Sequence, residues 1–150
     1  MKIRSIIFLL VFFAFSCNSQ KATSTTEKTA SYFDIGEGGG FSGLYTQYRV
    51  YSSGLVETYN FKEQAYQSWK QIDKNKTVRF FNEIEELKLI EEEIDMPGNM
   101  SEYFILYSND KGPHKLVWPS GGNQVNPKIY SLYKEIFNLC NKEIEEPIEE

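Results

Sequence analysis

The chain has 150 residues, a formal net charge of −5, two cysteines and one histidine, and 41% of its residues are hydrophobic. That length suits one domain with a real core. Acidity without a Lys/Arg stripe argues against a nucleic-acid partner, two cysteines cannot form a disulfide framework, and one histidine cannot supply a zinc site built on several.

Lys2 and Arg4 precede an unbroken apolar run at 6–15, followed by Ser16 and Cys17. This is the layout of a secretory signal, and the run is too short to read as a membrane span. Ser16-Cys17 resembles the lipobox of bacterial lipoproteins, although Ala14 stands where Leu is commonest and Phe15 is bulky. The resemblance implies cleavage before Cys17 and a diacylglycerol on its thiol. The alternative is a plainly cleaved signal with an incidental cysteine. Two or more acyl chains would anchor the protein stably. Loss of 1–16 removes Lys2 and Arg4 and takes the formal charge from −5 to −7.

Residues 18–31 are polar, rich in Ser, Thr and Lys, and lack any large apolar side chain. They read as a flexible tether that holds the domain about 20 Å from the bilayer on average. Asn18 is not the Asp that retains lipoproteins at the inner membrane. By the same resemblance, the expected location is the periplasmic face of an outer membrane. The organisation expected is therefore a signal at 1–16, a lipidated Cys17 and tether to 31, one domain at 32–142 and an acidic tail at 143–150.

Within the domain, 32–35 reads as a short strand that Gly36, Gly38, Gly39 and Gly40 break. Residues 44–51 suit a strand, Ser52-Ser53-Gly54 a turn and 55–60 the returning strand of a hairpin. A third strand at 66–72 follows, although Tyr66, Trp69 and Ile72 are irregularly spaced for one. Asp73 or Asn75 can cap a helix over 77–89, with Val78, Phe81, Ile84 (beside Phe80) and Leu87 forming its apolar stripe. Residues 96–99 are a loop. Strands at 103–107 and 114–118 flank a turn at 109–112. Asn126 and Pro127 then open a helix whose face carries Ile129, Leu132, Tyr133, Ile136, Phe137 and Cys140. This predicts an α+β domain: an antiparallel sheet of five to six strands with two helices packed on one face. Cys140 should be a buried small hydrophobe.

Catalytic chemistry is poorly represented. His114 falls in a predicted strand, no His-Glu-x-x-His or Gly-x-Ser-x-Gly is present, and the acids at 91–93 and 95 read as a solvated face. No cofactor or metal is expected. The glycines at 38–40 and 43 allow two readings. One is a turn or bulge that needs positive φ. The other is a recognition loop in which Phe41 is an apolar anchor. A phosphate cradle would need a helix after the loop and a Gly-Lys-Ser/Thr, and neither follows. Aromatic weight is the second feature. Of the aromatic residues, Phe8, Phe12, Phe13 and Phe15 lie in the signal, and the Tyr-heavy remainder exceeds what a small core needs. Tyrosines on an open sheet face would mark a partner surface.

The order of signals resembles emfourin, a small family of proteinaceous inhibitors of thermolysin-like metallopeptidases. The resembling pieces are Gly39-Gly40-Phe41-Ser42-Gly43 leading into a strand, the helix around 80–87, and the Pro97-Gly98 loop. They continue through the strand at 103–106, the Gly112 turn with His114-Lys115-Leu116, and the helix after Pro127. The resemblance implies an α+β inhibitor that blocks a secreted zinc peptidase, with the peptidase supplying the metal. Gly39, Gly40, Phe41 and Gly43 are the first candidate contacts, and Pro97 and Asn99 the second. The competing expectation is an accessory lipoprotein of an envelope complex with no inhibitory activity.

Overall fold

The computed structural model describes residues 31–41, 43–108 and 112–142. The predicted signal, Cys17, the tether as far as residue 30, and the acidic tail lie outside them. Six strands and two helices follow in chain order: β1 (Tyr32–Gly39), β2 (Leu44–Tyr51), β3 (Leu55–Asn60), β4 (Ala65–Gln71), α1 (Lys74–Glu86), β5 (Met100–Ser108), β6 (Gly112–Pro119) and α2 (Pro127–Asn141). A short 3₁₀ turn, Leu89–Glu91, follows α1. The sheet is antiparallel throughout, in the order β4-β3-β2-β1-β5-β6. Both helices cover one face, which makes the α+β sandwich the sequence predicts. No helix among the described residues is long and apolar enough to cross a membrane.

Alternation builds the core. Phe33 and Ile35 of β1, Tyr48 and Val50 of β2, and Phe104 and Leu106 of β5 point to the helices and are buried. From α2, Tyr133 lies edge-on to Phe104 and Trp118. From α1, Phe81 meets Phe33 edge-on. Edge-to-face pairs suit the ring quadrupole and add to plain burial. Among the described residues, the core cluster runs from Phe33 to Cys140 and joins the sheet to both helices.

α2 starts as the sequence predicts: the Asn126 side chain accepts from the Lys128 N–H at 3.0 Å, and Pro127 occupies the first turn. Its far end is capped from the sheet. The Trp69 indole N–H donates to the Cys140 carbonyl at 2.9 Å, and the Lys70 ammonium to the carbonyls of Leu139, at 2.8 Å, and Lys142. These carbonyls have no partner within the helix, and a cation there also suits the helix dipole. Cys140 is fully buried, and burial pushes its thiol up to about 12. It is packing, not a nucleophile.

Three expectations need correction. β1 does not stop at Ile35. Gly36, Gly38 and Gly39 stay in the ladder, paired with β2 and β5 on either side. Glycine is a poor strand residue in isolation, but neighbouring rings fill the space here. A Cβ on Gly36 would lie 2.5 Å from Tyr103 Oη, and one on Gly38 would lie 2.0 Å from Tyr45 Cδ1. α1 begins at Lys74 because Asp73 accepts from the N–H groups of Asn75 and Lys76. Its apolar stripe is rotated. Thr77 and Phe80 are buried, with Phe81, Ile84 and Leu87 beside them, while Val78 is exposed. The third strand forms as predicted, and the odd spacing of Tyr66, Trp69 and Ile72 has a cause. Val56 pairs with Lys70 and Glu57 with Ser68, so Trp69 is the extra residue of a β-bulge.

Candidate functional site

The β1–β2 connection is tight because Gly39, Gly40 and Gly43 have φ of +116°, +70° and +61°. Only glycine takes up such angles freely. The turn leaves Phe41 fully exposed, with a relative accessibility of 110%, and Leu44 mostly so. A second loop braces it. The Gly40 N–H donates to the Asn99 carbonyl, Gly39 pairs with Met100, and the Gly98 N–H donates to Ser101 Oγ at 2.9 Å. Gly39, Gly40, Phe41 and Asn99 are therefore brought together, Asn99 through its backbone. Gly43 faces open space, and Pro97 lines a groove with Gly38, Gly39 and Gly98. Met96, Met100, Tyr45 and Phe61 add exposed apolar surface from neighbouring segments.

The face of the sheet turned away from the helices is lined with tyrosine. By strand register it carries Tyr32, Tyr45, Tyr51, Tyr59, Tyr66, Tyr103 and Tyr107. At its centre lies a charge pair that sequence reasoning missed. Asp34, 1% exposed, takes Arg49 in a two-point clamp, from Nε at 2.7 Å and Nη2 at 2.9 Å. The hydroxyls of Tyr66 and Tyr107 donate to the same carboxylate, each at 2.7 Å. The guanidinium lies 4.2 Å from the Tyr32 ring centroid and 3.9 Å from that of Tyr66. Burial pulls the Arg49 pKa down, but the hydrogen bond and charge of Asp34 outweigh it and hold the pKa above its ordinary range. A signal was available: a lone acid between Phe33 and Ile35, and a lone base between Tyr48 and Val50. Register makes them direct partners.

This network binds the tyrosine protons. Burial first, and then the hydrogen bond and charge of Asp34, push the Tyr107 phenol up to about 12. Tyr66 and Tyr103 rise further, again by burial first and then through Asp34. A tyrosine in the unfolded chain ionises near 10. Above that pH the unfolded chain releases protons that the fold retains, so stability is intact below about pH 10 and falls as pH rises toward 12. An ultraviolet titration should show these phenols ionising together with loss of circular dichroism. Full ionisation near pH 10 with the fold intact would contradict this.

The acids and the histidine have other roles. His114 Nε2 lies 2.8 Å from the Glu92 carbonyl at the outer edge of β6. Glu102, 3% exposed, accepts from the Trp118 indole at 2.9 Å. Among the described residues, no three His, Cys, Asp or Glu side chains gather as metal ligands would. Comparison of the sequence with known protein families and with curated proteins finds no match.

Proposed function

We propose that this chain is a lipid-anchored binding protein, not an enzyme, that docks the β1–β2 tip onto another protein and so inhibits a secreted thermolysin-like metallopeptidase. The observation that carries this reading is Phe41, fully exposed on a turn that three positive-φ glycines and the Asn99 carbonyl hold in place. Phe41 does not stand alone: Leu44 and Met100, which flank Gly39 in the sheet, are exposed beside it, and an apolar patch with an aromatic anchor is the usual mark of a protein interface. Bracing also lowers the entropy lost on docking. The direction of β1 supports the reading. The strand leads from Tyr32, next to the predicted tether, to the tip, about 25 Å away at 3.3 Å per residue. An anchor at Cys17 would enter at the end opposite Phe41, which leaves the tip clear of its own attachment. The peptidase as target comes from the resemblance to emfourin.

The test uses the chain without its first seventeen residues, in stoichiometric excess over a thermolysin-like peptidase. Hydrolysis should stop. Phe41→Ala should raise the inhibition constant about 30-fold or more, as expected for a buried aromatic anchor. Its melting temperature should match the parent, because Phe41 touches no core. Hydrolysis untouched by the parent chain would remove the peptidase and leave the accessory-lipoprotein reading.

A further inference from the structure

A groove of about 290 Å³ opens beside the tip, lined by Tyr45, Ser101, Tyr103, Lys115 and the loop at 95–98. Its glycines are closely packed and leave no room for a side chain. A Cβ on Gly38 would strike the Tyr45 ring, one on Gly39 would lie 2.6 Å from the Asn99 carbonyl oxygen, and one on Gly98 would lie 2.9 Å from Pro119. Lys115 sits in this lining with its ammonium 4.9 Å from the Tyr103 ring centroid. It is exposed and forms no ion pair with a described residue, although the chain as a whole is acidic. Asp95 lies in the same lining, where its backbone bridges to Val117, and it forms no ion pair with Lys115.

We infer that this groove receives an extended segment of the partner protein that carries a single carboxylate, held by the Lys115 ammonium. The inference rests on reading the tip as a protein-docking surface, since a partner seated on Phe41 continues directly onto the groove through Gly39 and Gly98. The charge argument is complementarity. Lys115 is in no ion pair with a described residue and is backed by an aromatic ring, so it attracts an acid locally, while Asp95 leaves the lining without net charge and gives a second acid nothing to gain. The Tyr45 and Tyr103 rings supply stiff, amphipathic walls that lose little entropy on contact.

The experiment needs no peptidase. A capped pentapeptide with one central glutamate between leucines, and its glutamine twin, are titrated into the ¹⁵N-labelled chain lacking its first seventeen residues. The glutamate peptide should shift the amides of Gly38, Gly98, Ser101 and Lys115 saturably. Binding should be about tenfold weaker for the glutamine twin and for Lys115→Gln, it should fall with added salt, and Lys115→Arg should restore it. Equal binding of the two peptides, or no shift in the groove, overturns the inference. The outcomes separate from those of the inhibition test. A chain that inhibits the peptidase without preferring glutamate keeps the docking tip and loses the groove. One that prefers glutamate without inhibiting keeps the groove and loses the peptidase.

Discussion

Asp34→Ala should cost about 3–5 kcal/mol of unfolding free energy, the usual loss when one partner of a buried ion pair is removed. The carboxylate accepts from Arg49 twice, from Tyr66 and from Tyr107, so one side chain on β1 ties β2, β4 and β5 together. Without it, Arg49 loses the carboxylate that clamps it under the Tyr32 and Tyr66 rings, and two part-buried hydroxyls lose their acceptor. Against a total stability of about 5–15 kcal/mol for a domain of this size, the variant sits close to unfolding. Urea denaturation at neutral pH measures the loss. Replacing both partners, Asp34→Leu with Arg49→Met, should recover much of it, because the stranded charge and not the missing attraction carries most of the penalty. A single-variant loss below about 1 kcal/mol would place the pair among surface ion pairs, and the account of the open face would have to change.

Trp118→Ala should be comparably damaging, at about 3–5 kcal/mol, because it deletes a large and fully buried side chain from a close-packed core. The indole packs against Phe104, with ring centroids 6.0 Å apart, and against Tyr133 at 5.3 Å. Both neighbours would border the cavity. Trp118→Phe separates packing from polarity. It keeps most of the apolar contact but takes the N–H donor from Glu102, a carboxylate 3% exposed. An orphaned buried acceptor costs about 1–3 kcal/mol. Combining Trp118→Phe with Glu102→Leu, which removes both partners, should return part of that loss. If Trp118→Phe unfolds at the same urea concentration as the parent, the indole N–H contributes nothing and the Glu102 carboxylate is satisfied by water.

Local patterns determined a good deal. The helix from Pro127 was legible because the Asn126 cap, the proline and a three-turn apolar face agree, and none of them depends on distant contacts. The hairpin around Gly54 was legible for a similar reason: a turn signal lies between two Tyr- and Val-bearing runs. The candidate tip was legible in part. Glycines around one aromatic announce an unusual turn, and Pro97-Gly98-Asn99 announces a loop. That the two loops touch was not legible, because the contact depends on β5 pairing with β1 across the length of α1. Sequence distance carries no signal for such a pairing.

What tertiary structure alone decided follows from the same limit. Gly36 and Gly38 look like strand breakers until the Tyr103 and Tyr45 rings, from strands on either side, fill the space their missing side chains leave. Val78 looks like core until α1 docks and rotates it outward in favour of Thr77 and Phe80. Asp34 and Arg49 look like isolated charges in apolar strands until register sets them opposite each other beneath a layer of tyrosines. In each case the residue's meaning depends on a neighbour far along the chain. Periodicity and capping report only the few residues within one turn or one strand of themselves.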